Sequence, residues 1–328
     1  MIARATSGAL GRALALVRGL AGPGLSAARG KAFGLALSAL PDLPMAWAHQ
    51  LAHRMLVARG AEQWSSVLAG HRVQRYALRG RGRRNAPAVL LVHGLNGAAS
   101  SMTTLLPAVL GAATRVVLID LPQHGRSPAP AQPLGAQGYA RVVVAAVDEL
   151  AQETGGRVVL IGNSMGGALS LLAASERPAL VAGVVGLNPA GAPKADAVVG
   201  RLPRSFASPI EGAQTMAGLL FLKPPPLFWL VARDLARTWA SPMVQKILAD
   251  SADGKNASST AHVLRDLKAP VLVLWGEDDG LLPRESVEDF RTIPGARIEL
   301  IPECGHMPQI EKPLLVQRRV REFLAGLR

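Results

Sequence analysis

After residue 70, short wholly apolar runs alternate with longer stretches whose apolar positions recur every three to four residues. Ala88 to Val92, Arg115 to Asp120, Val158 to Ile161, Ala182 to Leu187 and Val271 to Trp275 are too short for helices and too apolar for an exposed face, so they predict buried strands. His71 to Leu78 predicts an opening strand, and the alternating Arg297 to Ile301 predicts the last one. Between them, "YARVVVAAVDELAQET" places Ala140, Val143, Val144, Val147, Leu150 and Ala151 on one helical face. Ser101 to Ala112 predicts a second helix, with Pro107 set against its continuity. Ala168 to Ala174 predicts a helix of small residues. Pro313 to Leu327 predicts a closing amphipathic helix, with Pro313 suited to its first turn. Buried strands alternating with helices make an α/β fold: a mostly parallel sheet with helices on both faces. In such sheets the working loops gather at the carboxyl ends of the strands.

Two segments break this rhythm. About 75 residues, 192–266, separate two strands that a short connection could join. They contain "LLFLKPPPLFWLVARDLARTW", among the most aromatic stretches of an aromatic-poor chain. A long apolar insertion predicts a helical lid over an apolar site, with Phe221, Phe228 and Trp229 as candidate substrate contacts. Residues 1–70 form the other exception, a basic segment expected to be a helical extension. The domain reading is therefore 1–70 extension, 71–191 first part of the core, 192–266 lid, and 267–328 second part of the core. Trp47 and Trp64 read as core or interface anchors, with the core as the expected place.

Charge sharpens this division. Of the net +13, residues 1–85 carry +11 and the remaining body only +2. A nucleic-acid partner is disfavoured, because that footprint usually sits on the folded domain. The first 41 residues contain Arg4, Arg12, Arg18, Arg29 and Lys31 and no acid. Three readings fit: a helix packed on the body, peripheral contact with an anionic membrane, or an Arg-rich targeting segment. No uncharged apolar run reaches the ~18 residues a membrane span needs. Cytoplasmic localisation is expected, with membrane association or targeting through this segment as its alternatives. The single cysteine, Cys304, excludes an intrachain disulfide.

The chemistry begins at "VVLIGNSMGGALSLLAA". Gly162, Asn163, Ser164, Met165 and Gly166 form G-x-S-x-G between a strand and a helix. A tight turn there holds the serine in a strained backbone and lifts its hydroxyl above the sheet. The pentapeptide alone is equally a glycine-containing loop, so the reading needs a base, an acid and an oxyanion site. His306, in "PECGHMPQIEKP" after the last strand, is the candidate base. "VLVLWGEDDGLLP" supplies Glu277, Asp278 and Asp279 as acids at another strand end, and their chemistry does not separate them. For the oxyanion, the backbone N–H of Met165 and that of Leu95 in "LVHGLNGAAS" are candidates. His93 and His124 read as structural; Asn96 is a lesser polar candidate.

Taken together, "HGLNG", "DLPQHGRS", "GNSMGG", "GEDDGLLP" and "GHMPQIEKP" resemble the α/β-hydrolase superfamily, in its branch of lidded serine esterases and lipases. The resemblance covers residues 71–328 in family order. It implies Ser164 as nucleophile, His306 as base and Asp279 as acid. Asp279 is chosen by the family's G-x-x-D-x-x-x-P pattern, running from Gly276 to Pro283. The serine sets the chain apart from relatives that attack with a carboxylate. Carbon–carbon hydrolases share the "GNSMGG" turn but usually place tryptophan after the histidine, where this chain has Met307.

The expected function is therefore hydrolysis of a lipid-like or other small apolar carboxylic ester through an acyl-enzyme, with no cofactor and no metal. Carbon–carbon hydrolysis, acyl transfer and an inactive binding scaffold are the alternatives.

Overall fold

The computed structural model describes residues 12–16, 19, 27–194, 202, 205–252 and 260–327. Parts of the acid-free segment, Arg4 and Arg18 among them, lie outside the described residues, as do 195–201, 203–204 and 253–259 of the predicted lid.

Eight strands build one sheet: β1 (Glu62–Leu68), β2 (His71–Arg79), β3 (Ala88–Val92), β4 (Arg115–Asp120), β5 (Val158–Asn163), β6 (Val181–Leu187), β7 (Val271–Gly276) and β8 (Arg297–Ile301). Their order is β1-β2-β4-β3-β5-β6-β7-β8. The β1–β2 and β2–β4 pairs are antiparallel, and all pairs from β4 to β8 are parallel. This is the mostly parallel sheet that the pattern predicts.

The interior strands β3, β5, β6 and β7 are buried along their whole length. Alternate residues feed two cores, one on each face. Leu90 and Val92 of β3 and Leu160 of β5 enter the first. Val89, Leu91 and Ile161 enter the second. Strands buried on both faces must be apolar at every position, which is why these runs do not alternate.

Eight helices of two turns or more accompany the sheet among the described residues: α1 (Ala27–Ser38), α2 (Met45–Ala58), α3 (Ala136–Thr154), α4 (Met165–Glu176), α5 (Pro209–Leu220), α6 (Ala232–Trp239), α7 (Pro242–Ala252) and α8 (Pro313–Gly326). Helix α3 buries Tyr139, Val143, Val147 and Leu150 in the first core. Gly155, at φ 63°, ends α3 in the left-handed conformation that glycine tolerates best. Helix α8 buries Val316, Val320 and Leu324, at i, i+4 and i+8, in the second core.

Three sequence expectations are corrected. First, residues 62–68, assigned to a helical extension, form edge strand β1. Its polar Gln63, Ser65 and Ser66 conceal the strand, and its turn runs through Ala69 and Gly70 at φ 48° and 84°. That left-handed pair suits a two-residue hairpin, but Ala-Gly is a weak hairpin signal in sequence. Second, Ser101 to Ala112 is not one helix. A 3-10 segment, Ala99–Leu105, gives way to a single α-turn, Leu106–Val109, with Pro107 in its first turn. Third, Trp47 is not a core anchor, being 48% exposed on α2. Trp64 is half-buried on β1, with the guanidinium groups of Arg75 and Arg115 at 4.9 and 5.7 Å from its ring centre.

The acid-free segment contributes α1, which packs on the 192–266 insertion. Phe33 and Leu37 form a small separate core with Ala213 of α5 and Trp229. Phe33 meets Trp229 edge-on at 5.1 Å. No helix among the described residues is long and apolar enough to cross a membrane.

A buried carboxylate ties the β4 end to its neighbours. Asp120 accepts hydrogen bonds from the N–H of Ala99 (2.8 Å), the N–H of Arg126 (3.0 Å) and the hydroxyl of Tyr76 (3.1 Å). Asp120→Ala leaves two buried donors and one part-buried donor without an acceptor. The expected cost is about 2–4 kcal/mol of folding free energy, measured by urea unfolding against the wild type.

Candidate active site

Because β3 to β8 run parallel, their carboxyl ends share one edge of the sheet. The His93–Gly94 turn follows β3, Ser164 follows β5, Asn188 follows β6, the 277–283 loop follows β7 and the His306 loop follows β8. Side chains distant in sequence therefore converge there.

Ser164 sits between β5 and α4 at φ 54° and ψ −121°. A non-glycine residue reaches positive φ only when its surroundings hold it there. Its N–H donates to the carbonyl of Leu187 (3.0 Å), and its carbonyl accepts from the N–H groups of Gly167 (2.9 Å) and Ala190 (3.0 Å). The turn also requires a close backbone approach. A Cβ on Gly166 would lie 2.3 Å from the carbonyl oxygen of Val92 on neighbouring β3. Only glycine allows helix and sheet to meet at that distance. Met165 is the first residue of α4, so its N–H is among those with no acceptor inside the helix.

His306 is buried, and its Nδ1 lies 2.8 Å from Oδ2 of Asp279. Of the three adjacent acids, only Asp279 reaches this imidazole. Glu277 pairs instead with Arg284 at 3.1 Å, and Asp278 is exposed. Asp279 is held from every side. Its Oδ1 accepts from the N–H groups of Leu281 (2.8 Å) and Leu282 (2.9 Å), and its Oδ2 also accepts from Nδ2 of Asn188 (2.6 Å). Asn188 accepts in turn from the N–H of Gly276 (3.0 Å), which fixes its amide. The carbonyl of His306 accepts from Nδ2 of Asn163 (3.2 Å). One residue upstream, the N–H of Gly305 donates to Glu311 (2.7 Å), whose other carboxylate oxygen accepts from the N–H of Lys223 in the insertion (2.8 Å).

Asn188 lies in no motif that sequence reasoning used, and Glu311 lies within "GHMPQIEKP" but was given no role there. The one signal at Asn188 is chemical. It sits at φ 42°, and asparagine is enriched at such positions.

Ser164, Met165, Leu95 and His306 line one cavity of about 250 Å³. Phe221 and Phe228 line it too, their rings packed edge-on at 5.0 Å. Trp229 does not. It is buried in the small core against Phe33, so its expected place at the substrate is corrected. Helices α5, α6 and α7 of the insertion contribute Met216, Leu235, Trp239 and Ile247 to the wall. Helix α2 supplies Met45, Ala48 and His49, which sequence reasoning missed.

Two buried histidines brace the Leu95 turn. His93 Nε2 accepts from the N–H of Leu121 (3.0 Å), and its Nδ1 faces the carbonyl of Gly94 (2.8 Å). His124 Nε2 accepts from the N–H of Asn96 (3.1 Å), and its Nδ1 faces the carbonyl of Pro122 (2.9 Å). Each ring must therefore be neutral, protonated on Nδ1 only. Asn96 also donates through Nδ2 to the hydroxyl of Thr238 at 2.9 Å, tying this turn to the insertion. Among the described residues, no cluster of three or more histidine, cysteine or acidic side chains could hold a metal ion.

A sequence model of the alpha/beta hydrolase family matches residues 89–318. The dihydrolipoyllysine-residue acetyltransferase component of the acetoin cleaving system of Pseudomonas putida is 28% identical over 275 residues, covering 81% of this chain and 70% of its own. The pimeloyl-(acyl-carrier protein) methyl ester esterase of Neisseria meningitidis serogroup C is 27% identical over 270 residues, covering 76% of this chain and 99% of its own. Among solved structures, a membrane phospholipase A described as a bacterial virulence factor superposes with a TM-score of 0.68 at 23% identity, covering 84% of this chain and 92% of its own.

Burial lowers the pKa of His93 to about 4; it also lowers that of His124 to about 3, with the adjacent His93 adding to the effect. In the unfolded chain each ring takes up a proton near its ordinary value of 6.5. The stability contributed by keeping them neutral is complete above that pH. It is lost as pH falls from there through the folded values. Urea midpoints measured against pH are expected to drop steadily below pH ~6.5, and His124→Gln to flatten that slope.

Proposed function

The chain belongs to the alpha/beta hydrolase family, and we propose that it is a serine hydrolase of carboxylic esters. The observation that carries this reading is that the buried His306, paired with Asp279 behind it, lines one cavity with a serine held at positive φ.

In this reading, Ser164 Oγ attacks the ester carbonyl. His306 holds its proton-bearing Nδ1 against Asp279, which leaves Nε2 to accept the serine proton and return it to the departing alcohol. Asp279 stabilises the imidazolium that forms. The N–H groups of Leu95 and Met165 receive the negative charge developing on the carbonyl oxygen. Water then attacks the acyl-enzyme, with His306 again as base. None of these steps calls on a metal or an organic cofactor.

The cavity supports an apolar acyl group as the substrate part recognised. Phe221, Phe228, Leu235 and Trp239 offer contact area without hydrogen-bonding a polar chain along its length. A lipid-like ester fits this lining, and helices α5 to α7 take the place of a lid. The esterase likeness supports ester cleavage. Acyl transfer to an alcohol or thiol is the second reading, favoured by the likeness to the acetyltransferase component; products formed with an added acceptor separate the two.

Hydrolysis of p-nitrophenyl esters of graded acyl length tests the proposal. The wild type is expected to prefer longer chains over acetate. Ser164→Ala should lose about 10⁴-fold or more in kcat, and Asp279→Asn should lose up to about 10⁴-fold with little change in KM. Fluorophosphonate should label the wild type at Ser164 and leave Ser164→Ala unlabelled. Ester hydrolysis that survives Ser164→Ala, or a wild type inert on every ester, overturns the reading.

A further inference from the structure

Helix α2 lies before the residues that match the family and has two working faces. One edge lines the cavity through Met45, Ala48 and His49. A second face is anchored by Leu56, buried in the second core beside Tyr76. The remaining face is bare. Trp47, Leu51 and Met55, spaced i, i+4 and i+8, form a single row and are 48%, 46% and 48% exposed. Folding alone gives no reason to leave such a row in water.

The charge that the helix itself carries has one sign. Residues 43–61 contain Arg54 and Arg59 and no acid. Both arginines are exposed, and neither forms an ion pair among the described residues. The nearest acids in sequence are engaged elsewhere: Asp42 with Arg237 at 2.9 Å, and Glu62 with Arg115 at 2.8 Å. Cations flanking a tryptophan-led apolar row match an interface of acyl chains beneath anionic headgroups. A second copy fits less well, because a self-complementary contact would bring Arg54 and Arg59 of two such helices together.

We propose that this outer face of α2 docks on an anionic lipid surface, placing the cavity wall formed by the same helix beside the bilayer. Trp47, Leu51 and Met55 enter the headgroup boundary, and Arg54 and Arg59 meet the lipid charge. The proposal extends the lipid-ester reading, but docking itself needs no turnover.

Vesicle co-sedimentation of the full chain tests it, using phosphatidylcholine with about one-third phosphatidylglycerol against phosphatidylcholine alone. The wild type is expected to bind the anionic vesicles preferentially, and less in about 0.5 M salt. The triple variant Trp47→Ser, Leu51→Ser, Met55→Ser should weaken binding about tenfold or more. Its hydrolysis of a short, water-soluble ester and its circular dichroism should be unchanged, since none of the three lines the cavity. Ser164→Ala should bind vesicles as the wild type does, so failure of the ester reading and failure of docking are told apart. A wild type that ignores both vesicles, or a triple variant that binds like the wild type, overturns the proposal. So does light scattering that finds a wild-type dimer abolished in the triple variant, which assigns the row to a second copy.

Discussion

The distance between two backbones governs the rest of the site. Helix α4 begins so close to the sheet that Gly166 has no room for a single carbon beside the Val92 carbonyl. That contact fixes the turn between β5 and α4 and with it the positive φ of Ser164. It also brings the first N–H of α4 level with the loop after β3. A wider gap would relax the serine and draw the two N–H groups apart. A similar approach recurs across the sheet at Gly276, where a Cβ would lie 2.1 Å from the carbonyl of Gly305, next to His306. The edge is built from touching main chains, and the side chains take their geometry from it.

The polar groups at this edge are buried, and their burial is matched by hydrogen bonds. Asp279 meets one imidazole, one amide and two backbone N–H groups. Such a carboxylate has little freedom to turn, and it confines His306 to one orientation. The opposite solution appears at the β3 turn. There His93 and His124 stay uncharged and accept from backbone N–H groups, so burial needs no counter-ion. A carboxylate joined to an imidazole and two neutral imidazoles thus stand at the same edge of the sheet, each satisfied in its own way.

The sequence revealed the sheet and the convergent strand ends because burial on both faces leaves only apolar residues. Runs such as Val158 to Ile161 and Val271 to Trp275 therefore declare themselves. The turns that carry Ser164 and His306 were legible because glycines and prolines mark them, whereas Asp279 was separated from Glu277 and Asp278 only through the family resemblance. Strand β1 was not legible, since an edge strand tolerates Gln63 and Ser65 on its open side. Trp229 was placed at the substrate on composition alone, which cannot say which way an aromatic faces within a helical insertion. Asn188 and Glu311 were invisible for a related reason. Asn188 meets Asp279, and Glu311 meets Lys223, across about 90 residues, and no local pattern records a contact of that span.

The order of the strands along the chain has a consequence for biosynthesis. The β8 strand and the His306 loop come late, with His306 lying 142 residues after Ser164. Ser164, its turn and the strands beside it leave the ribosome long before the imidazole that joins them. The nascent chain therefore carries Ser164 without His306 while the residues between them are made. The cleft is thus completed by its later-made part, and its assembly is ordered by the direction of translation.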